Sequence, residues 1–368
     1  MPRYASTTTP RKCFFNDAPS LVITRILFTR GLSNVRDAIA LIHQAMTPGE
    51  FHLGASYVTE HTPLRRVADS FALEPADLAP DAYVDWLLAL CQQEAFAWVW
   101  PQGRWAALLD QQARFAAAGV RLLLPCPDGD TLDAVQDKTR ANARLAVAGV
   151  PLPRTQSVAT ADEFAEALAG LANGMGRVCV KPARSIYGLG FRLIDDRKRP
   201  LDRFLANDCF TIGAAEFASL LASADGSCPF LVMEYLAGDE RSIDCLAWEG
   251  RLVRAVVRRK PAEAHGRWQW IETDPEAWEI ARQAVAALDL NGLVNVQTRE
   301  RLHPDGRREQ CFLEVNPRMS GGIDMACQAG LNLPYWLLRR VVGTVEETDI
   351  PWPISGVRVA KIEQAVVL

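Results

Sequence analysis

The chain has 368 residues, 49% of them hydrophobic and 23% charged, a mix that builds folded cores and excludes a disordered chain. Forty Lys and Arg against forty-four Asp and Glu leave a net charge of −4, which argues against a general nucleic-acid binder. No apolar run of about 18 residues occurs, so no membrane partner is expected. At roughly 100–200 residues per domain the length predicts two or three domains. The first twenty residues are polar and carry three prolines, which reads as a loose tail and not a secretory signal. Nine scattered cysteines without a C-x-x-C pair predict free thiols in a reducing cytoplasm and no cysteine-based zinc site.

In chain order, 21–30 (LVITRILFTR) reads as a strand, Gly31 to Asn34 as a tight turn, and Val35 to Met46 as an amphipathic helix. A strand over 51–58, a helix over Asp81–Gln93 behind Pro80, and a strand over 95–100 follow. A helix over Ala106–Ala118 stopped by Gly119, and a strand over 120–125, complete this part. Strands alternating with helices predict a parallel, doubly wound α/β sheet for residues 21–130. Gly31-Leu32-Ser33-Asn34 is not G-x-G-x-x-G, so a nicotinamide site is not expected there.

The segment 125–131 (PCPDGDT) marks a boundary. Beyond it we expect a helix over Leu132–Ala148 ended by Gly149 and Pro151, and another over Ala161–Leu171. Strands at 177–183 and 191–195 flank a loop from Ser185 to Gly190. Residues 196–228 look irregular, with one short helix near 214–222, and FLVMEYL (230–236) is a strong strand. RSIDCLAW and RLVRAVVRR flank Glu249-Gly250 as a hairpin, and Pro275–Leu288 reads as a helix. VNVQTRERL and REQCFLEVNPR flank Pro-Asp-Gly as a second hairpin. Helices over Ser320–Ala329 and about Tyr335–Val342 end this α+β half.

The last hairpin carries a polar stripe. Residues two apart on a strand share a face, which groups Glu314, Asn316 and Arg318, and likewise Asn295, Gln297 and Arg299. An even loop, most simply Pro304 to Arg307, pairs residues whose numbers sum to 611. Gln297 then faces Glu314, and both stripes share one face of the ribbon. Carboxylate and carboxamide oxygens suit magnesium, which shares its shell with phosphates and water. An Arg beside them suits a phosphoryl group or an acyl phosphate. The same stripe also fits the solvated face of an edge hairpin.

Other features are individually modest. Lys181 ends a buried strand and can aim its ammonium at a phosphate; Lys138, at a helix head after Asp137, can reach the same place. The loop ending Gly188-Leu189-Gly190 can lay N–H groups over phosphates, although no GK[ST] follows. Glu234, Tyr235 and Leu236 end a strand whose backbone can meet an adenine edge, and Glu240 can accept ribose hydroxyls. His265, near Lys260 and after Arg258-Arg259, reads as a loop histidine, with a contact to ATP or substrate as the alternative, and His303 lies in a turn. His43, His52 and His61 show no metal spacing.

The order DKTRANARLAVAGVPLPRT, VCVKPARSIYGLG, FLVMEYLAGDERSIDCL, LVNVQTR, FLEVNPRMSGG resembles the ATP-grasp superfamily. It is most similar to the branch with the carbamoyl-phosphate synthase large-subunit ATP domains and related carboxylate–amine ligases. The NVQ…EVNPR pairing is its most specific element, and the likeness spans roughly residues 130–342. The resemblance implies a flexible tail (1–20), a pre-ATP-grasp α/β domain (21–130), a two-lobed α+β ATP-grasp domain (131–345, lobes about 131–233 and 234–345) and a C-terminal extension (346–368). It implies that Lys138 and Lys181 hold ATP phosphates, that Glu234, Tyr235 and Leu236 form the adenine hinge, and that Glu240 binds ribose. It places Gly188 and Gly190 in a lid, Mg²⁺ on Gln297, Glu314 and Asn316, and Arg318 on the transferring phosphoryl group, with Arg318 and Lys181 as the catalytic pair. The lid has fewer glycines than usual and contains Tyr187, and 196–228 is longer than expected. The implied chemistry is activation of a carboxylate as an acyl phosphate and its capture by an amine. A non-catalytic ATP-binding module and a bicarbonate-activating enzyme are the alternatives. Small-molecule carboxylates and amines are the expected partners, with a second copy of the chain, since many relatives dimerise.

Overall fold

The structure is a computed structural model and describes residues 23–31, 34–172, 177–186, 188–224, 228–261, 264, 267–362, 365 and 367. The expectations for the tail, Leu32-Ser33, Tyr187 and His265 lie outside the described residues. Three sheets organise the chain.

The first sheet contains β1 (Thr24–Phe28), β2 (Phe51–Tyr57), β3 (Ser70–Leu73), β4 (Trp98–Trp100) and β5 (Arg121–Leu122) in the order β3-β2-β1-β4-β5. Every pairing is parallel, as expected of strands joined through helices. Helix 35–45 buries Val35, Ala38, Ile39 and Ile42 on one side, while helix 80–93 packs Tyr83, Val84 and Leu87 into a separate core. The helix expected over 106–118 is two, Trp105–Leu109 and Gln112–Ala117. The break turns Trp105, Leu108, Leu109 and Phe115 into the same core, which one straight helix does not do. β3 has no clear signal in the sequence and was not anticipated.

The second sheet contains β6 (Thr155–Val158), β7 (Val178–Pro182), β8 (Arg192–Ile194), β9 (Thr211–Ile212) and β10 (Phe230–Glu234) in the order β6-β10-β7-β8-β9. Val178 and Val180 face helices 161–172 and 214–223. By alternation, Cys179 and Lys181 face the other way. Residues 196–224 are more regular than expected, with helices at 200–205 and 214–223 around β9.

The helix expected over 132–148 is also two, Gly129–Gln136 and Lys138–Val147. Asp137 ends the first and caps the second, its Oδ1 accepting from the Thr139 and Arg140 N–H groups at 2.9 and 3.2 Å. The break leaves Lys138 at a helix head.

The third sheet is antiparallel: β11 (Glu240–Trp248), β12 (Arg251–Lys260), β13 (Gln269–Glu272), β14 (Gly292–Leu302), β15 (Arg308–Asn316) and β16 (Val357–Val359), in the order β15-β14-β11-β12-β13-β16. One face, with Ile243, Cys245, Val257, Val294 and Val296, packs on helix 275–287. The opposite face is divided along its length. Leu246, Val253, Val256 and Leu293 join the core formed with helices 323–327 and 333–341 and with the first sheet. The other end of that face is polar and lies open toward the second sheet. The helix expected over 320–329 is confined to Ile323–Cys327, because Ser320 Oγ is engaged by Arg258 Nη2 at 3.0 Å and by the Gly322 N–H at 3.2 Å.

Candidate active site

The open polar end of the third sheet and the Cys179–Lys181 face of the second enclose a cleft of about 530 Å³. The cleft collects Lys138, Lys181, Gly188, Glu234, Tyr235, Leu236, Glu240, Gln297, Glu314, Asn316 and Arg318. Gly190 is the exception among the anticipated residues. It holds φ +79°, and a Cβ there would meet Pro182 Cγ at 2.6 Å, so its task is a close turn against β7.

The floor depends on the register of β14 and β15. Asn295 pairs with Asn316 and Gln297 with Glu314, as expected. The route to that register differs from the expectation. β14 ends at Leu302 opposite Arg308, which leaves the five-residue loop 303–307 and not the even loop 304–307. An irregularity then places Thr298 opposite Phe312 and Gln297 opposite Glu314, with Leu313 as the extra residue. This bulge takes the Phe312 N–H to the Pro151 carbonyl at 2.8 Å. It also presents the Leu313 carbonyl to Lys181 Nζ at 3.1 Å. The bulge therefore sets the polar stripe and docks the lysine of the facing sheet.

Lys181 is 7% exposed. Among the described residues its ammonium has that one acceptor and no ion pair. Burial lowers its pKa to about 8, with Lys138 adding to the fall and Glu314 opposing it. Burial also lowers the Lys138 pKa, against the pull of Glu314 and Asp137. Lys138 Nζ donates to Ser185 O and Oγ at 3.0 and 3.1 Å. Two desolvated ammonium groups near one carboxylate form a place for a polyanion.

Three side chains can offer oxygen to a cation. Gln297 Nε2 donates toward Asn295 Oδ1 at 3.4 Å, and Asn316 Nδ2 toward Glu314 Oε1 at 3.4 Å. Arg318 Nη2 donates to Asn316 Oδ1 at 3.2 Å. With one carboxylate and two carboxamides, the set fits a hard cation that takes further oxygens from phosphate. Asn295, though on the stripe, is 1% exposed and turned to Ser242 Oγ and Asp244 Oδ1 at 3.0 and 3.3 Å.

At the other end, the Glu234 carboxylate accepts from Arg301 Nε and Nη2 at 2.9 and 3.0 Å, so Glu234 can offer a ligand only its backbone. The Tyr235 ring lies between the guanidinium groups of Arg177 and Arg299 at 5.0 and 5.2 Å. Glu240 faces the cleft but is ion-paired with Lys260 at 2.5 Å. The Cys179 thiol also lines the cleft; burial raises its pKa to about 12, which leaves no thiolate for nucleophilic work.

Sequence reasoning placed Arg299 on the polar stripe without a role and missed Lys260 and the Arg258 cluster. Arg258 is 2% exposed and binds Asp244 at 2.7 Å, Gln269 Oε1 at 2.5 Å, and the Ser242 and Ser320 hydroxyls. It pins the Ser320–Gly322 loop to β11, β12 and β13. The hairpin around Glu249-Gly250 starts with Trp248 opposite Arg251, and an irregularity between Leu246 and Ala247 then shifts the register by one, so that Glu240 meets Lys260 and Ser242 meets Arg258. Projecting the turn alone would have set Glu240 opposite Arg259, so the bulge hid both pairs. His43 lies 3.7 Å from Asp69, His52 2.9 Å from Ser70 and His303 3.0 Å from Glu309, none of them in the cleft.

This arrangement, an α/β unit leading into two sheets that face each other across a cleft, is the ATP-grasp fold. The chain is similar to biotin carboxylase from Campylobacter jejuni, with TM-score 0.62 and 15% identity over 89% of this chain and 73% of the other. It is similar to an L-amino acid ligase from Bacillus licheniformis, with TM-score 0.59 and 16% identity over 90% and 77%. It is also similar to N5-carboxyaminoimidazole synthetase from Staphylococcus aureus, with TM-score 0.59 and 14% identity over 87% and 77%. Residues 227–365 match a family described as ATP-grasp in the biosynthetic pathway with Ter operon. No curated protein sequence matches the chain. The resemblance read from the ordered motifs is borne out at the level of the fold.

Proposed function

We propose that this protein is an ATP-dependent ligase that activates a carboxylate as an acyl phosphate and joins it to an amine, releasing ADP and phosphate. The observation that carries the reading is one cleft holding Lys138, Lys181, Gln297, Glu314, Asn316 and Arg318, drawn from both facing sheets. Nothing in that set is a covalent catalyst, which suits phosphoryl transfer, where positioning and charge stabilisation do the work.

In this reading the backbone of Glu234–Leu236 meets the adenine and Glu240, steadied by Lys260, meets the ribose. Lys138 and Lys181 hold the phosphate chain. Gln297, Glu314 and Asn316 hold Mg²⁺, which when bound draws charge from the γ-phosphate. A carboxylate oxygen attacks the γ-phosphorus as the bond to the ADP oxygen breaks. Arg318, on Asn316 Oδ1 and the Met319 carbonyl at 3.1 Å, stabilises the charge that builds on the transferring group. Ser320–Gly322, fixed by Arg258, borders the reacting carboxylate. The structural likeness to biotin carboxylase supports a second reading, activation of bicarbonate.

The test is ADP release with MgATP and a panel of amino acids and small carboxylates, with hydroxylamine as trap. Carboxylate-dependent ADP and hydroxamate support the ligase. Strict bicarbonate dependence supports the second reading. Nucleotide binding with no turnover under any condition returns the case to a non-catalytic module.

A further inference from the structure

A second cleft, of about 330 Å³, meets the first at its reacting end. Lys138, Ser185, Glu314, Asn316 and Arg318 line both. The second cleft runs past β15, the edge strand of the third sheet. From there it reaches toward Trp105 of the first α/β unit. We propose that it admits the amine substrate, and that this amine carries an apolar group; the proposal rests on the ligase reading above.

Topology supplies the first argument. Once the γ-phosphate has moved, ADP fills the first cleft from the Tyr235 hinge to Lys138 and Lys181. The acyl phosphate lies against Arg318 and Ser320–Gly322. A nucleophile that came through the first cleft would have to pass ADP. The second cleft reaches Glu314, Asn316 and Arg318 without crossing the hinge.

The lining supplies the second. Trp105, Val135, Phe312, Val315 and Pro317 give an apolar wall, suited to a hydrocarbon or aromatic body. Gln136 and Asn142 also line it, and among the described residues neither side-chain amide has a hydrogen-bond partner. Asn142 is half-buried, so its free carbonyl oxygen is placed to accept from an amine N–H. Arg184 stands at this wall but is neutralised by Asp133 at 2.5 Å and Asp137 at 3.2 Å. The other charged side chains of this cleft, Lys138, Glu314 and Arg318, stand at the reacting end it shares with the first, so the acid belongs at that end and the part beyond it, toward Trp105, is left for the amine.

The step balances. The neutral amine nitrogen attacks the acyl carbon and a C–N bond forms. The C–O bond to phosphate breaks, and its electron pair leaves with phosphate. The extra proton on nitrogen passes to that phosphate.

The experiment uses the full chain with MgATP and the carboxylate panel, and compares two nucleophiles, hydroxylamine and phenethylamine. Hydroxylamine is small enough to pass a narrowed cleft. The wild-type protein is expected to form both hydroxamate and phenethylamide. Asn142→Trp fills the cleft and should lower the ratio of amide to hydroxamate by about 10²-fold. Asn142→Ala, the milder change, should raise the KM for phenethylamine about three- to tenfold while the KM for MgATP stays put. A ratio unchanged in Asn142→Trp overturns the proposal. So does wild-type protein that yields hydroxamate but no phenethylamide. Absence of hydroxamate with every carboxylate overturns the ligase reading instead, which separates the two failures.

Discussion

Replacing Lys181 by Met removes a charge and keeps the length of the side chain. Burial lowers its pKa from 10.5 to about 8, so holding the charged form in the fold costs about 3 kcal/mol. Losing the bond to the Leu313 carbonyl returns about 1 kcal/mol of that. Lys181→Met should therefore stabilise the ligand-free protein by about 2 kcal/mol at pH 7, a rise of a few degrees in Tm. The sign follows from a base whose pKa is lower in the folded state. Its destabilisation is complete below about pH 8, shrinks as pH rises, and is gone above the unfolded pKa of roughly 10.5. The advantage of the variant should thus be present at pH 7 and fade between pH 8 and 10. The stabilisation that MgATP gives the wild-type protein should be largely lost in the same variant. Thermal melts of both proteins across pH, with and without MgATP, measure all of this. A variant less stable than wild type at pH 7, or a gap that ignores pH, refutes the reasoning.

Glu314→Ala and Arg318→Ala should each lower turnover by about 10²–10³-fold while leaving the melt and far-UV spectrum close to wild type; near-normal turnover contradicts the assigned roles. Gly322→Ala puts a Cβ 2.7 Å from Arg258 Nη1 and 2.9 Å from Met325 Cε. Because Asp244, Gln269, Ser242 and Ser320 hold Arg258 in place, the loop must move. We expect kcat to fall by about 10²-fold with the KM for MgATP little changed; a KM effect alone would count against this. Calorimetry of MgADP binding should show Kd rising above pH 8, by up to about tenfold per unit as Lys181 loses its proton; the same slope in Lys181→Met contradicts that source.

The order of motifs made the fold legible, and strand alternation made the polar stripe legible. Gln297, Glu314 and Asn316 share a face because side chains alternate, and no distant contact is needed to see it. The reason for their register was not legible. The sequence pattern supports an even loop as well as an odd loop with a bulge, and it is the Pro151 carbonyl, remote in sequence, that draws off the Phe312 N–H. Helix breaks at Asp110 and Asp137 were hidden for a similar reason: helical periodicity continues across them, and tertiary burial or a capping side chain decides. Glu234 looked like a ligand contact, yet Arg301 claims its carboxylate. β16 pairs with β13, two short strands almost ninety residues apart whose meeting leaves no local signal. The second cleft was invisible because Trp105, Asn142 and Phe312 come from three separate segments.

The central claim is that a carboxylate takes the γ-phosphate of ATP. Its most direct measurement uses carboxylates labelled with ¹⁸O, MgATP and hydroxylamine, reading the isotope in the released phosphate. An acyl phosphate transfers one carboxylate oxygen, so the account predicts ADP together with ¹⁸O-labelled inorganic phosphate and hydroxamate in equal amounts. AMP with pyrophosphate, or ADP with unlabelled phosphate, would contradict it.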